Sequence, residues 1–592
     1  MQRLKRNLSD FEDHVFDILV VGGGIYGASI AKVAAAQGLD VALIDKGDFG
    51  HATSSNSQKI IHGGLRYLQH LNVSRMRESI KARRKLMAFA PHLVRPLQCI
   101  VPTRGYGIRS RAALAVALVL NDLVAWDRNR GLDHRNRLPR GHTVSAAQCL
   151  KMIPSLDPGR ISGGAIWYDA MAVNTERLTL SLVEAACAEG ATAANYVQAV
   201  DYLISRASVM GVRATDVLTQ RELEIRSKLV VNAAGPWTES LADTVPGLKA
   251  LMPSSWSLAT NVIVNRRLFG DYAVGLSVGE YTDEDAVFRK GTRDLFFVPW
   301  RGGTIIGTFY NRFSGDAESC RIGSADIHRM LAEIKNAYPS ADLGPDDICF
   351  VHAGLLPTVR GSRGPSADIQ LMKRPVFVDS EAHGSFAGLL SLVGVKYTTA
   401  PQIAEDVVHA ALAKLGRRRV SDGTTFLPAG TQKTTSTTAQ VAETASKRPW
   451  ENGMSVMAEH LGMRYGPKLG AVMEYCLNDE GQRSIDADHS ILSGEVTYAV
   501  REEMAQRLSD VIFRRTDLGT FGYPGREAIE RCARIMSREL GWTSDRMRSE
   551  IDATEQVYAV LVEAGCLELD GQIPEDGIDD GTAATSSITG ER

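Results

Sequence analysis

Residues 59–70 read KIIHGGLRYLQH, and within this stretch two glycines separate His62 from the pair Arg66 and Tyr67. Because glycine carries no side chain, the backbone between these polar residues can pass close to another group. Imidazole, guanidinium and phenol groups all form hydrogen bonds to polar or anionic ligands. The spacing therefore predicts that something small and polar docks on this segment.

A glycine pattern also opens the first long apolar stretch, FDILVVGGGIYGASIAKVAAAQGLDVALIDKGD. After a predicted strand, Gly22, Gly24 and Gly27 form G-x-G-x-x-G before an alanine-rich helix. These glycines permit a tight turn, close approach to a pyrophosphate and close helix–strand packing, with the phosphates at the helix N-terminus. The next strand ends at Asp45, 18 residues after Gly27, where a carboxylate can bind a ribose hydroxyl. The order of these elements predicts a dinucleotide site and leaves the dinucleotide open.

A later apolar run, SKLVVNAAGPW at residues 227–237, ends in small residues that include Gly235. In two-domain flavoproteins such a late strand returns to the nucleotide-binding sheet, and its Ala/Gly turn packs on the cofactor. Dehydrogenases that bind only NAD do not need this strand. The run alone is an ordinary strand and turn, but together with the N-terminal glycine pattern it favours FAD.

Composition limits the remaining functions. At 592 residues the chain exceeds the size at which single hydrophobic cores stop growing, so two or three domains are expected. A formal net charge of −2 argues against nucleic acid as a partner. Eight cysteines without a C-x-x-C pair predict neither a zinc site nor a disulfide framework, and no metal site is predicted. The N-terminus lacks the order of a signal peptide, so export is not expected.

Composition and periodicity also predict the organisation of the chain. The helical part is predicted from apolar residues at spacings of four and three, Val496, Val500, Met504, Leu508 and Val511. The linker is rich in Thr, Ser and Ala, and the tail is acidic and rich in Gly, Ser and Thr. The predicted parts are an N-terminal extension (1–13), an alternating strand and helix region (14–428), a linker (429–448), a helical domain (449–566) and a disordered tail (567–592).

One apolar segment bears on membranes. No run approaches the roughly 20 apolar residues that a membrane-spanning helix needs. The longest candidate is RAALAVALVLNDLVAW at residues 111–126. It is predicted to form either a buried helix or a helix that lies against a bilayer surface.

Five longer motifs, in chain order, resemble the FAD-dependent glycerol-3-phosphate dehydrogenase family: ATSSNSQKIIHGGLRYL, NAAGPW, FFVPWRGGTIIGT, GVKYTT and REEMAQRLSDVIFRRTD. The resemblance implies an α/β FAD-binding domain, Rossmann-like and of the glutathione-reductase type, with an inserted antiparallel-sheet substrate domain and a C-terminal all-α domain. It implies FAD as the cofactor. It also implies oxidation of a secondary alcohol by hydride transfer to the flavin, while a base takes the hydroxyl proton.

The same resemblance assigns site residues. The cofactor is expected at Gly22, Gly24, Gly27 and Asp45 for the ADP half, at Thr53, Ser54, Ser55 and Ser57 for the pyrophosphate and flavin, and at His62, Gly63, Gly64 and Gly235 for close backbone contact. The catalytic and substrate-pocket positions are Arg66, Tyr67, Lys396 and His352. A structural ion pair for Arg66 and an exposed loop position for Lys396 are the alternatives. A cationic pocket suits an anionic substrate, and the planar fork of arginine suits phosphate.

Three polar positions of the family differ in this chain. The arginine of the family's G-x-R-P motif corresponds to Leu356, the acid of G-T-T-D to Tyr310, and the histidine of G-S-H to Asn261. Either the loops are misaligned or Arg360 and Arg363 supply the missing charge, or the substrate is not glycerol 3-phosphate. Leucine would leave a phosphate under-paired, since it removes five hydrogen-bond donors.

The leading prediction is FAD-dependent oxidation of glycerol 3-phosphate or a related polyol phosphate, in glycerol metabolism. The alternatives are oxidation of a less anionic hydroxylated or amine substrate, and a binding protein that flavin only stabilises. Either quinone or oxygen is the expected electron acceptor, and a homodimer is expected. A cytoplasmic location is predicted, with peripheral attachment at the inner face of the cell membrane as its variant.

Overall fold

The computed structural model describes residues 4–65, 72–105, 107, 109–282, 290–359, 369–420, 426, 454–486 and 490–568. The strands in these residues are β1 (Val15–Val21), β2 (Val41–Ile44), β3 (Ile60–Ile61), β4 (Val94–Thr103), β5 (His142–Ser145), β6 (Gly163–Ala172), β7 (Thr192–Ala194), β8 (Val197–Ser205), β9 (Ser208–Asp216), β10 (Glu222–Asn232), β11 (Trp256–Val264), β12 (Tyr272–Thr282), β13 (Lys290–Trp300), β14 (Gly303–Phe313), β15 (Ile348–Pro357), β16 (Val376–Asp379) and β17 (Leu389–Val393).

The helices surround these strands and continue beyond them. Those before the C-terminal part are α1 (Ile25–Ala36), α2 (Val73–Phe89), α3 (Arg111–Val124), α4 (Ala146–Met152), α5 (Thr175–Ala188), α6 (Thr238–Ala242), α7 (Ser324–Ala337) and α8 (Ala400–Lys414). Those in the C-terminal part are α9 (Met454–Tyr465), α10 (Leu469–Cys476), α11 (Ser493–Glu502), α12 (Leu508–Asp510), α13 (Arg526–Leu540), α14 (Ser544–Glu555) and α15 (Ala559–Glu563).

The first sheet is built around β1. Its strand order is β16-β17-β10-β1-β2-β7, with the β8–β9 hairpin attached to β10. β1 pairs in parallel with β2 and β10, and β10 pairs in parallel with β17. From its second residue onward β1 is buried, as expected for a strand of a parallel sheet that is covered on both faces. The carboxyl ends of β1, β2, β10 and β17 consequently meet at one edge of the sheet.

The second sheet has the order β15-β11-β14-β13-β12-β4-β6-β3, with β5 attached to β6. Its neighbouring strands run antiparallel except for β4 and β12, which are parallel. α7 buries Ile327, Met330 and Ile334 in the same apolar cluster as side chains of β11 and β14.

The two sheets and the C-terminal helices confirm the fold class that the motifs predicted. The predicted linker 429–448 and nearly all of the predicted tail 567–592 lie outside the described residues.

The helical part breaks within the apolar pattern from Val496 to Val511. α11 ends at Glu502, and Met504 has a φ of +58°. The Glu503 carbonyl accepts hydrogen bonds from Arg515 instead of from the next helical turn. Apolar spacing could not predict the break, because its cause is a buried polar partner 12 residues away.

A second hydrogen-bond pattern explains where the chain becomes helical again. The Asp510 carboxylate accepts the amides of Gln506 and Arg507 at 2.8 and 3.0 Å, which satisfies amide groups at the start of α12. Burial agrees with the prediction at four of the five apolar positions, since Val496, Met504, Leu508 and Val511 are all buried. The periodicity therefore identified the buried face and missed the turn within it.

The apolar segment at 111–126 forms α3, and its outward face is exposed. Leu118 is the fully buried residue of this helix, whereas Val119, Leu123 and Trp126 are 60, 65 and 75% exposed. The buried-helix alternative is therefore wrong for the described chain. Across the described residues, every helix is too short or too polar to cross a bilayer.

Candidate active site

A cavity of about 2640 Å³ opens where the carboxyl ends of the central strands face the second sheet. Val21, Asp45, Ala233 and Val393, which end or follow β1, β2, β10 and β17, all line it. Small-molecule sites usually measure about 300–1,000 Å³, so this space accommodates a dinucleotide together with a second, smaller ligand. Ligands of open α/β sheets bind at this edge of the sheet.

The three fingerprint glycines meet different constraints. Gly22 has a φ of +102°, and a Cβ there would lie 2.6 Å from the carbonyl oxygen of Ala233. A Cβ on Gly27 would lie 1.7 Å from the carbonyl oxygen of Gly22, so α1 could not approach β1. A Cβ on Gly24 would meet only the Ser54 hydroxyl, at 3.1 Å. Gly22 and Gly27 thus permit the turn, and Gly24 keeps the N-terminus of α1 accessible from the cavity.

Asp45 fixes the loop that follows β2. Its carboxylate accepts the amides of Gly23 and Gly47 at 2.6 and 2.8 Å, and His51 Nδ1 lies 3.4 Å from Oδ1. Burial raises the pKa of Asp45, and the neighbouring His51 opposes that rise. A carboxylate has about four acceptor positions, so Asp45 retains capacity for a ribose hydroxyl.

The hydroxyl-rich loop is held by its own side chains. Ser54 Oγ accepts the amide of Ile25 at 2.9 Å and so caps the first turn of α1. Thr53 accepts the amide of Leu355 at 3.2 Å, which ties the loop to β15. Thr53, Ser54 and Ser57 line the cavity, whereas Ser55 is not part of its described wall and donates to the Gly50 carbonyl at 2.5 Å.

The HGG segment, residues 62–64, is held by buried residues behind it. The amide of Gly63 donates to Asp169 Oδ1 at 2.5 Å, and a Cβ on Gly63 would lie 2.4 Å from the buried Arg83 guanidinium, which is paired with Asp169. Gly64 has a φ of +86°. His62 and Gly64 line the cavity, whereas Gly63 contributes contact with the core behind them. The two adjoining positions Arg66 and Tyr67 lie outside the described residues.

Lys396 also lines the cavity, and its backbone contacts the first turn of α1. Tyr26 holds this segment, because its hydroxyl donates to the Lys396 carbonyl at 2.7 Å and accepts the Lys396 amide at 3.3 Å. A Cβ on Gly394 would lie 1.9 Å from the Tyr26 ring. The amide of His62 donates to Thr398 at 3.3 Å. The structure therefore brings the HGG and GVKYTT motifs together at one cavity wall.

His352 does not join this group. It is 2% exposed, and its ring contacts Trp300 and Phe350 with centroids 6.2 and 5.8 Å apart. Burial, followed by the charge of Lys59, lowers the pKa of His352 well below its ordinary value, so the imidazole is neutral. The described cavity wall includes its neighbours on β15, such as Gly354 and Leu356, but not His352 itself.

The three positions that depart from the family pattern do line the cavity: Leu356, Tyr310 and Asn261. They come from the adjacent strands β15, β14 and β11, in which Ala259 pairs with Tyr310 and Ser257 with Leu356. The Asn261 side chain accepts the Thr308 hydroxyl at 2.9 Å. Because all three share one wall, the departures alter a common surface of the cavity.

Several cavity residues were missed by the sequence analysis. The cations Arg75, Lys373 and Arg374 line the same space as Lys396. At another part of the wall, Lys46 Nζ lies 3.8 Å from the centroid of the Trp237 ring, next to His51. The sequence analysis could not group these cations, because Lys46, Arg75 and the adjacent pair Lys373 and Arg374 belong to separate segments and match no spaced motif. Arg360 and Arg363, which the sequence analysis offered as substitutes for the missing charge, lie outside the described residues.

Comparison with known families matches nearly the whole chain. The sequence model described as "FAD dependent oxidoreductase" matches residues 17–408. The model described as "C-terminal domain of alpha-glycerophosphate oxidase" matches residues 425–547.

Individual proteins are similar over most of their length. A protein of Mycobacterium leprae named "Glycerol-3-phosphate dehydrogenase" is 31% identical over 569 residues, covering 94% of this chain and 90% of the relative. One of the same name from Synechocystis sp. is 28% identical over 579 residues, covering 95 and 99%. The X-ray structure of the glycerol-3-phosphate dehydrogenase from Bacillus halodurans complexed with FAD has a TM-score of 0.71 at 23% identity, covering 95% of this chain and 98% of that one. At that identity the likeness is one of fold.

The residues at this edge fit FAD. An accessible helix N-terminus at Gly24, the carboxylate of Asp45 and the hydroxyls of Thr53, Ser54 and Ser57 provide donors and acceptors for a diphosphate and a ribose. A side chain added at Gly24 would fill the space in front of the N-terminus of α1. We call this space, bordered by Gly22 and Gly24, the glycine cradle.

Gly24→Val is expected to yield colourless protein, because the valine side chain would occupy the approach to the helix N-terminus. FAD affinity should fall about 100-fold or more, which corresponds to roughly 2.7 kcal/mol. Gly344→Val is the matched control, since both glycines are extended helix-capping residues and a Cβ on Gly344 meets no atom within 4 Å. The measurement is the ratio of flavin absorbance to protein. Full FAD occupancy in Gly24→Val would contradict the placement of the cofactor.

Proposed function

The chain belongs to the FAD-dependent glycerol-3-phosphate dehydrogenase family, and from that premise we propose that it oxidises the secondary alcohol of glycerol 3-phosphate or of a related polyol phosphate. It is an oxidoreductase with FAD as its cofactor. The observation that carries the substrate proposal is that one cavity is lined both by the fingerprint glycines Gly22 and Gly24 and by cations that include Arg75, Lys373, Arg374 and Lys396.

The cations account for an anionic substrate. A guanidinium presents parallel donors that match two phosphate oxygens, and an ammonium supplies a compact charge. We assign Lys396, together with Arg66 and Tyr67 from the sequence resemblance, to binding and orienting the substrate beside the flavin. FAD, when bound, would supply the acceptor for the hydride of the alcohol carbon, and the hydroxyl proton would pass to a base. The chain's own residues position the alcohol.

The cofactor contacts are part of the same proposal. We assign the diphosphate to the helix N-terminus at Gly24 and to Thr53 and Ser54, and the ribose to Asp45. The remaining cofactor positions from the resemblance, assigned to close backbone contact or packing, are Gly22, Gly27, Ser55, Ser57, His62, Gly63, Gly64 and Gly235. His352 is assigned a supporting place behind Ser57, because its imidazole hydrogen-bonds the Ser57 backbone and lies outside the cavity wall.

A second candidate function, oxidation of a larger or less anionic hydroxylated substrate, is favoured by one observation. Leu356 and Tyr310 line the cavity at positions where the family pattern has an arginine and an acid. An apolar and aromatic wall binds carbon more favourably than phosphate.

Anaerobic mixing with glycerol 3-phosphate tests the two candidates. If glycerol 3-phosphate is the substrate, it should bleach the flavin band of the purified holoprotein, while glycerol without the phosphate should bleach it slowly. Rapid bleaching by an uncharged polyol, with none by glycerol 3-phosphate, would favour the second candidate. Failure of every alcohol and amine would instead favour a binding protein.

Substitution at position 356 measures how strongly the apolar wall limits flavin reduction by glycerol 3-phosphate. Leu356→Arg is expected to speed flavin reduction by glycerol 3-phosphate roughly ten- to a hundredfold at subsaturating substrate, because a charge-assisted pair contributes about 1.5–3 kcal/mol. Leu356→Met conserves volume without adding charge and should leave the rate unchanged. Fast reduction in the unaltered protein, with no gain in Leu356→Arg, would show that the other cations suffice.

The electron acceptor and location form a further part of the proposal. α3 exposes Val119, Leu123 and Trp126 to solvent, while Ala113, Leu114 and Ala117 of the same helix line the cavity. We propose that this helix rests on the inner face of the cell membrane and that a quinone reaches the flavin beside it, with oxygen as the alternative acceptor. The resemblance alone supports a homodimer.

Sedimentation with anionic vesicles tests the membrane contact. The unaltered protein should sediment with the vesicles at low salt, and Leu123→Ser with Trp126→Ser should remain in the supernatant with its flavin content unchanged. Val557→Ser removes an apolar side chain that is 44% exposed elsewhere and should still sediment. Equal sedimentation of all three proteins would rule out α3 as the contact.

A further inference from the structure

A buried carboxylate connects the loop after β2 to the C-terminal helices. The Asp48 side chain is 0% exposed and lies three residues after Asp45. It accepts Arg514 Nε at 2.6 Å and both terminal nitrogens of Arg515 at 2.6 and 2.8 Å. Asn195 donates to it at 3.0 Å. Three donors from two distant segments therefore converge on one carboxylate.

The two arginines reach Asp48 from a rare helical turn. Arg514 and Arg515 end the π-helical turn Val511–Arg515, where the amide of Thr516 donates to the carbonyl of Val511 five residues earlier. Such turns are uncommon and frequently occur at functional sites. Both guanidiniums reach the Oδ2 atom of Asp48, and Arg515 also binds Oδ1.

The buried charges of this cluster are paired with one another. Burial alone would raise the pKa of Asp48, but Arg515 and Arg514 together lower it far below its ordinary range. Arg514 also pairs with Asp510, whose carboxylate accepts the Tyr196 hydroxyl at 2.5 Å. Each buried charge of the cluster therefore depends on its partners, because removing one would leave another buried and unpaired.

Asp48 is connected to the glycine cradle by backbone hydrogen bonds of the loop that contains it. The Asp48 carbonyl accepts both the amide and the Nδ1 of His51, at 3.2 and 2.8 Å. One residue earlier in the chain, the Gly50 amide donates to the Gly23 carbonyl at 3.0 Å. A shift of Asp48 would therefore be transmitted to the turn at Gly23 and to the approach in front of α1.

We propose that Arg514 and Arg515 are positioning residues for FAD, and that the C-terminal helical domain serves to hold the loop 45–57 in its FAD-binding geometry. Neither arginine lines the described cavity, so both act through Asp48. The inference rests on FAD binding and not on the identity of the alcohol, so failure of glycerol 3-phosphate as a substrate would leave it intact.

Arg514 is the residue to change. Arg515 is 1% exposed and holds both carboxylate oxygens, so its removal would leave a buried charge without its main partner. Arg514 is 11% exposed, and Arg514→Gln leaves the bidentate contact of Arg515 in place. Arg464→Gln is the matched control, because Arg464 is 8% exposed and pairs with the buried Glu495 within the helical part.

The test titrates FAD into the full-length chain after the flavin has been removed, well below the Tm of each variant. Arg514→Gln is expected to raise the Kd for FAD about tenfold, equivalent to roughly 1.4 kcal/mol, and to alter the visible circular dichroism of the bound flavin. Arg464→Gln should lower Tm by about as much as Arg514→Gln does. It should leave the Kd for FAD within about twofold of the value for the unaltered protein. Arg514→Lys keeps the charge and should recover part of the affinity; it also provides the readout if Arg514→Gln does not fold.

Two results would overturn the proposal. An unchanged Kd in both Arg514 variants would mean that the loop keeps its geometry without this contact. An equal rise in Kd for Arg514→Gln and Arg464→Gln would mean that FAD affinity follows general loosening of the helical part and not the position of Asp48.

Discussion

The close approach of backbone at the carboxyl ends of β1 and β10 is the constraint on which the site depends. Gly22 lies against the Ala233 carbonyl, and Gly27 lies against Gly22, with no room for a Cβ at either glycine. Only this contact lets α1 start directly behind β1 with its N-terminus at the sheet edge. The loops that follow β2, β10 and β17 leave from the same edge, so they meet in one cavity.

Buried charge then connects the parts of the chain that form this cavity. Lys59, whose side chain is 0% exposed, donates to Glu176 and to the carbonyl of Ser55, and so holds the hydroxyl loop against α5. Arg177 pairs with Glu503, which joins the same helix to the C-terminal part. Removing one partner of such a pair costs about 3–5 kcal/mol, because the other charge remains buried.

The second sheet contributes part of the cavity wall. Asn261, Tyr310 and Leu356 line the cavity from three adjacent strands. Polar groups in such a wall fix the orientation of a ligand, and apolar groups provide most of its contact area. The second sheet therefore supplies the surface on which this chain departs from the family pattern.

Local sequence predicted the strand, glycine turn, helix and strand from β1 to β2 and the apolar run of β10, because each depends on residues close together in the chain. The local pattern left the dinucleotide open, and FAD followed from combining the two distant runs and from the resemblance of longer motifs, which also implied the family and fold class. Only the tertiary structure decided that His352 lies outside the cavity wall, that Leu356, Tyr310 and Asn261 share it, and that the helical pattern breaks at Met504. It also decided that Arg515 binds Asp48 across 467 residues of sequence. Such contacts leave no periodic trace, because hydrogen bonds and charges between distant segments depend on how those segments pack.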